Sequence, residues 1–169
     1  MSYTLDELAN DIKSTLQADS SRSGKEKICE FVSRALLDKE FVAEHLKTRK
    51  AGEKARAVLY EDPDLGFCIC GHVHDGPAAS PAHDHGSSWA IYGQAEGETR
   101  MSEWKIVERG DPILVEEVTA FTMKPGDAHF YDVGDVHAVD RTAPVKLIRI
   151  EGANLDHIKR SNIKPMQKS

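Results

Sequence analysis

The chain has 169 residues, of which 40% are hydrophobic and 30% are charged, which is ordinary for one globular domain with a core of its own. Its formal net charge of -6 argues against the basic face that nucleic-acid binding requires, and no apolar run approaches the length that crosses a membrane. The N-terminus lacks the features of a signal peptide, and the three cysteines contain no Cys-x-x-Cys pair, so we expect a cytoplasmic protein.

The first part of the chain has the pattern of helices. A capping box, Thr4 to Glu7, opens an amphipathic stretch that predicts the first helix. A second capping box, Ser23 to Glu26, predicts the start of the next helix, and Asp38 the cap of a third short helix that ends at Leu46. We therefore expect residues 1–50 to form a helical layer.

After Gly52 the pattern changes to short runs of strand-forming residues between turn signals. The predicted strands are Ala55–Tyr60, Phe67–Val73, Ser88–Gln94, Thr99–Val107, Ile113–Val118, Ala120–Met123, Ala128–Val133, His137–Val139 and Val145–Ile150. Many short strands at regular spacing indicate an antiparallel barrel or sandwich. We expect this barrel to span residues 51–161 and to form one structural domain with the helices, followed by a loose tail at 162–169.

Three histidines are the candidate metal ligands. His83 and His85 are separated by one residue, and side chains of a strand alternate with a period of two, so both imidazoles are expected on one face. A later strand can bring His137 opposite them. Three neutral imidazoles with open positions make a reactive site for one metal ion, and imidazole suits iron, zinc, copper or nickel.

The barrel half resembles the cupins in two motifs. Their first motif, a Gly, His-x-His, usually a Glu ligand and a Gly, is matched without the glutamate by Gly76, His83, His85 and Gly97. The second motif, which ends in Pro-x-Gly, two residues and His, is matched in spacing by Gly126, Asp132, Val133, Gly134 and His137. This spacing selects His137 rather than His129 as the third ligand. The resemblance implies an all-β double-stranded β-helix (jelly-roll) barrel behind the helical layer, α+β overall.

Four segments of the chain are similar to the bacterial thiol dioxygenases, the group of cysteine dioxygenase and 3-mercaptopropionate dioxygenase. They are VLYEDP (58–63), SPAHDHG (80–86), WAIYG (89–93) and EGE (96–98). The resemblance implies that His83, His85 and His137 hold Fe²⁺, although the residues alone also allow Zn or Ni. It further implies that a small substrate, a thiol first, and O2 fill the open face of the metal. The chain is then expected to be an oxidoreductase, a mononuclear non-haem iron dioxygenase.

The chain departs from this group near its C-terminus, where the group carries Ser-x-His-x-Tyr and the chain has Leu147, Arg149 and Glu151. If their shared strand face lines the barrel, Arg149 and Glu151 are expected to pair, because an isolated buried charge is costly. Glu151 is then a candidate general base, a fourth metal ligand, or only the partner of Arg149. Arg149 is a candidate clamp for an anionic substrate. Arg56 is a second candidate clamp, and Tyr92 can point into the cavity beside the metal.

Three functions stay open at this point. The first is oxidation of a thiol by O2, the second is metal-dependent conversion of a carboxylate or enolate, and the third is a non-catalytic cupin that senses a metal or small ligand. The expected partners are a small-molecule substrate and O2, with neither nucleic acid nor membrane, and the chain is expected to be a monomer or homodimer. Another His-x-His pair, His72 and His74, continues Cys68 and Cys70 on one predicted strand face. For these four residues we favour a structural role over a second metal.

Overall fold

A computed structural model describes residues 2–167 of the chain. Within these residues the helices are α1 (Leu5–Ala18), α2 (Arg22–Leu37) and α3 (Lys39–His45), and a short 3-10 helix spans Leu155–His157. The strands are β1 (Arg56–Glu61), β2 (Cys68–His74), β3 (Ala78–His83), β4 (Ala90–Glu96), β5 (Thr99–Glu108), β6 (Ile113–Met123), β7 (Ala128–Tyr131), β8 (Val136–Arg141), β9 (Val145–Glu151) and β10 (Ile163–Pro165).

The strands of the described chain form two sheets of five. The order in the first sheet is β1-β2-β9-β4-β7, and the order in the second sheet is β10-β6-β5-β8-β3. Neighbouring strands are antiparallel, except that β10 runs parallel to β6. This interleaving of early and late strands brings distant parts of the chain together across the barrel.

The helices form largely where the sequence predicts them. Thr4 caps α1 through the predicted capping box with Glu7, and the Asp38 side chain caps α3. The second predicted capping box is wrong, because α2 begins at Arg22 and Ser23 is already its second residue. None of the helices in the described part of the chain is both long enough and apolar enough to cross a membrane.

The predicted strands differ from the observed ones in three places. The two runs at 113–118 and 120–123 are one long strand, β6. The sequence predicts no strand at β3 and none at β10, and the loose tail predicted for 162–169 is wrong for Ile163–Pro165. These short segments become strands by pairing with β8 and with β6, contacts that a local pattern does not contain. Residues 168 and 169 lie outside the described residues.

The first sheet packs one face against the helices. Ile69, Ile91 and Ile148 from its three central strands are fully buried in a core that includes Ile28 and Val32 of α2. Because successive side chains of a strand point to opposite faces, the residues between these isoleucines turn away from the helices. The opposite face of the first sheet is therefore left for the barrel interior.

Gly93 on β4 allows the close approach of α2. A Cβ atom at this position would lie 2.8 Å from Val32 Cγ1 and 2.9 Å from Leu36 Cδ1, both closer than carbon atoms pack. Any larger residue at this position would push α2 away from the sheet.

The interior between the two sheets is mixed apolar and polar. Its apolar cluster consists of Tyr92 and Tyr131 from the first sheet and Met101, Met123 and Val139 from the second. Arg149 on β9 lies between Tyr92 and Cys70 in register, and Glu151 follows it by two positions. Arg149 and Glu151 therefore face the barrel interior together with Tyr92.

Candidate metal centre

Three histidines meet inside the barrel. His83 ends β3, His85 lies two residues further on, and His137 lies on β8 opposite His83 in register. Each offers a ring nitrogen, these nitrogens all lie within 4.8 Å of one another, and the side chains are buried. His129, the alternative third ligand, lies apart from them and faces Glu103 at 3.3 Å. The structure thus brings together the three histidines that the sequence predicts as metal ligands.

His85 reaches this group by a different route from the expected strand alternation. Because β3 ends at His83, His85 lies in the following loop, and the two ring planes are 77° apart with centroids at 5.4 Å. The loop turns at Gly86, whose φ of +60° favours glycine, and a Cβ atom there would lie 2.4 Å from the carbonyl oxygen of Lys159. A tight turn packed against the C-terminal segment, rather than a strand, positions His85.

Burial keeps the three imidazoles neutral. It lowers the pKa of His83 to about 4 and the pKa of His85 to about 3, and it holds the pKa of His137 well below its ordinary value. The positive charge of Arg149 lowers all three pKa values further. Since a neutral imidazole is the form that ligates a metal, the group is ready for a cation at neutral pH.

The hydrogen bond of His83 selects one of its nitrogens for ligation. Its Nδ1 lies 2.8 Å from the carbonyl oxygen of Pro81, and a carbonyl can only accept, so Nδ1 carries the proton. Its Nε2 is then the unprotonated nitrogen, and it is buried without a hydrogen-bonding partner among the described residues. An outer N–H bonded to a backbone carbonyl is the usual arrangement of a metal-bound histidine. The residues of this site therefore fit a metal ion held by three nitrogens.

Two tyrosines contact His137. The Tyr92 hydroxyl lies 2.9 Å from Nε2 of His85 and 3.0 Å from Nε2 of His137, so the tyrosine expected beside the metal does contact two of the three histidines. Tyr131 stacks on His137, with ring centroids 4.1 Å apart. Tyr131 is absent from the residues predicted for the site, although its alternation with His129 on β7 is a signal that it shares the interior face.

Glu151 lies in a buried network of charges. Its carboxylate is 2.7 Å from Arg56 Nη2 and 2.9 Å from both Nε and Nη2 of Arg149, and the backbone N–H of Leu155 donates to it at 3.0 Å. The expected Arg149–Glu151 pair is thus present, with Arg56 as a second partner. Burial alone would raise the pKa of Glu151, but the hydrogen bonds from Arg56 and the charge of Arg149 outweigh it and lower the pKa. Both carboxylate oxygens are already engaged by cations.

The two arginines differ in their remaining donors. Arg56 also donates to Asp156 at 2.8 Å and to Asn154 at 3.1 Å, so its guanidinium is used by the protein itself. The guanidinium carbon of Arg149 lies 5.6 Å from the centroid of the Tyr92 ring, and Tyr92 in turn contacts the histidines. Of the two arginines, Arg149 lies towards the candidate metal centre.

The segment of residues 152–162, the C-terminal strap, crosses over the loop that carries His85. Buried Asp84 accepts hydrogen bonds from the Ser161 hydroxyl at 2.7 Å and from the Ser161 N–H at 3.2 Å. Arg160 is the neighbouring residue, and its charge contributes to the lowered pKa of the histidines. Local sequence patterns do not predict this contact, because it joins positions 77 residues apart.

The second His-x-His pair does not form a comparable group. His72 and His74 stack with ring centroids 6.3 Å apart, and within residues 2–167 the three histidines above are the only such cluster of three or more potential ligands. Burial raises the pKa of Cys68 to about 11 and that of Cys70 to about 12, so both are protonated thiols rather than metal-binding thiolates.

Comparison with known proteins identifies the fold. No protein-family model matches the chain, and a search of curated proteins finds no match. Among solved structures, an uncharacterized conserved protein with a double-stranded β-helix domain from Klebsiella pneumoniae has a TM-score of 0.51 at 14% identity, over 72% of this chain and 88% of that chain. A cupin superfamily protein from Desulfitobacterium hafniense has a TM-score of 0.44 at 11% identity, over 62% and 81% of the two chains. KdgF from Halomonas has a TM-score of 0.48 at 14% identity, over 66% and 92%. The first of these structures, whose TM-score exceeds 0.5, shows that the chain has the double-stranded β-helix fold.

Proposed function

We propose that this protein is a mononuclear non-haem iron dioxygenase that oxidises a small, metal-chelating substrate with O2. The observation that carries the proposal is the group of three buried, neutral imidazoles whose nitrogens lie within 4.8 Å of one another. A thiol is the first candidate substrate, because the segments around these histidines resemble the thiol dioxygenases.

The ligand set favours an anionic substrate. His83, His85 and His137 would hold the ion through ring nitrogens, and bound Fe²⁺ supplies the open positions at which a substrate and O2 meet. Three neutral ligands leave the positive charge of a divalent ion uncompensated. A thiolate, carboxylate or enolate is therefore bound in preference to a neutral molecule.

Arg149 and Tyr92 are the side chains that would orient such a substrate. The Tyr92 hydroxyl already lies against His85 and His137, where it can donate to or accept from a group bound next to them. Arg149 is held by Glu151 through one edge of its guanidinium, which leaves other N–H groups for an anion. In this proposal Glu151 is the positioning residue of Arg149 rather than a general base, because its oxygens are already engaged.

Oxygen consumption tests the proposal. The iron(II)-reconstituted protein is assayed with cysteine, 3-mercaptopropionate and cysteamine, with the His137→Ala variant as the blank and His129→Ala as the matched control. We expect uptake with at least one thiol in wild type and His129→Ala and none in His137→Ala. A protein that carries one iron per chain and consumes no oxygen with any thiol would contradict the thiol assignment.

A carboxylate or enolate substrate is the second candidate, and the Arg56–Glu151–Arg149 network favours it. Two members of this network, Arg149 and Glu151, stand where the thiol dioxygenases carry the His and Tyr of Ser-x-His-x-Tyr. Arg149 is also the kind of residue that binds carboxylates in a bidentate way. Including β-dicarbonyl compounds and α-hydroxy acids in the same assay separates the two candidates. Stabilisation by one of these ligands without oxygen uptake would instead favour the third function, a ligand sensor.

A further inference from the structure

Arg141 is a buried arginine that has no carboxylate partner in the described part of the chain. It is 8% exposed, and within residues 2–167 its single hydrogen bond runs from Nε to the Thr99 hydroxyl at 3.2 Å. The other interior arginines, Arg56 and Arg149, share Glu151. Burial and the charge of Arg149 lower the pKa of Arg141, yet a guanidinium stays charged in proteins. A buried charge of this kind requires acceptors around it.

Arg141 lies towards the other end of the barrel from the metal centre. On β8 it follows His137 by four positions and Val139 by two, so all three face the interior, and four strand residues span about 13 Å. Thr99, whose hydroxyl accepts from Arg141, donates to the side-chain oxygen Oε1 of Gln94 at 2.8 Å. Thr99 and Gln94 are both buried, so this chain of contacts runs through the interior.

His72 lies at the same level of the barrel. Gln94 is in register with Leu147 on β9, and Leu147 with His72 on β2. The Nε2 atom of His72 is buried and has no hydrogen-bonding partner among the described residues. Burial and the charges of Arg149 and Arg141 hold the pKa of His72 well below its ordinary value. A neutral imidazole can present Nε2–H as a donor, so the barrel interior contains an uncompensated cation on β8 and an unused donor on β2.

We propose that Arg141 and His72 form a second binding site inside the barrel, for a small oxyanion such as a carboxylate or phosphate. The planar guanidinium offers a pair of parallel N–H groups that match two oxygens of such an anion, and His72 supplies a further donor. The site is independent of the proposed oxygen chemistry, which uses neither residue.

His74 marks the side from which an anion would enter. It follows His72 by two positions on the same face of β2 and lines two surface clefts of about 270 Å³ and 260 Å³. Burial and the charge of Arg141 lower the pKa of His74, which agrees with Arg141 lying near this end. Both clefts therefore open beside His74, at the end of β2 that follows His72.

Thermal unfolding of the metal-free full-length chain tests the site. It is measured in sodium phosphate, sodium formate and sodium chloride at one ionic strength, for wild type, Arg141→Gln and the exposed control Arg100→Gln. We expect phosphate or formate to raise the Tm by about 3 °C or more relative to chloride in wild type and Arg100→Gln, and not in Arg141→Gln. A rise with phosphate alone identifies a phosphate ligand, and a rise with formate alone a carboxylate. An equal rise in Arg141→Gln, or no rise in wild type, overturns the proposal.

A second measurement does not depend on the variant folding. Wild-type protein with ¹⁵N-labelled imidazoles is titrated with phosphate and then with formate, and the histidine nitrogens are followed by NMR. We expect a saturable shift of His72 Nε2 with at least one anion, while exposed His157 does not follow the same curve. Unchanged His72 resonances with both anions would contradict the site.

Discussion

A single carboxylate organises the charges at the centre of the barrel. Glu151 is fully buried and binds Arg56 on one side and Arg149 on the other. Arg56 has a second carboxylate partner in Asp156, so the two arginines share two carboxylates. Arg149 depends on Glu151 alone and lies on the side of the barrel where Tyr92 contacts the histidines. Its charge is the electrostatic reason to expect an anionic substrate beside the candidate metal centre.

Replacing Glu151 by Gln is expected to destabilise the protein strongly. The amide keeps the shape of the side chain but removes the charge, which leaves buried Arg149 without a counter-ion and Arg56 with Asp156 alone. Breaking a buried pair in this way costs about 3–5 kcal/mol. Urea unfolding followed by circular dichroism measures the loss. The control is Glu117→Gln, which breaks the exposed pair with Arg100 and is expected to cost less than about 1 kcal/mol. Equal losses in the two variants would show that the network does not stabilise the fold.

Local patterns predict those residues of the site whose neighbours are close in sequence. Strand alternation is sufficient to predict that Arg149 and Glu151 pair, because the two residues are neighbours on one strand face. It cannot predict that Arg56 joins them from β1, nor that Tyr131 stacks on His137, because these contacts depend on which strands pair. The prediction that His85 joins the other two histidines is correct, but strand alternation is not the cause. A turn at Gly86, after the end of β3, directs the His85 side chain to the site.

At the level of elements, the C-terminal strap fixes the loop that carries His85. Asp84 accepts from Ser161 twice and from the Gly86 N–H at 3.1 Å, so one carboxylate joins the metal-binding loop to the strap. β10 continues the strap and anchors it to β6. The hydrogen bonds of Asp84 and the pairing of β10 with β6 therefore fix the loop of His85 without a metal.

Ser161→Ala is expected to lower the affinity for a divalent metal by about tenfold. The substitution removes the 2.7 Å hydrogen bond to Asp84, so the loop samples more positions of His85, and losing a contact behind a metal ligand typically weakens binding 10–100-fold. Competition with a chelator measures the affinity. Ser87→Ala is the matched control, because Ser87 is an exposed serine of the same loop. An affinity equal to that of the control would mean that the strap does not position the ligand.

The elements that the sequence predicts well are those with strong local signals. Capping residues place α1 and α3, and β-forming runs between turn residues place most of the strands. The start of α2 is misplaced, because Ser23 and Glu26 satisfy the capping pattern while the helix begins two residues earlier, with Ser21 as its N-cap. β3 and β10 carry weak local patterns and owe their conformation to partner strands, which is why they are absent from the prediction.

For the whole molecule, metal binding and folding are linked. His83 and His137 come from strands that are neighbours only in the folded second sheet, so an unfolded chain has no preformed site. At a free metal concentration of 100 times Kd, binding adds about 2.7 kcal/mol to the free energy of unfolding. For a chain of this size that corresponds to a rise in Tm of about 5–10 °C.

We expect this rise with Fe²⁺ under anaerobic conditions, or with Zn²⁺, in wild type and in His129→Ala. In His137→Ala the rise should fall below about 2 °C, because two nitrogens remain. A rise that survives in His137→Ala but disappears in His129→Ala would place the metal at His129 on β7 and contradict the three-histidine site.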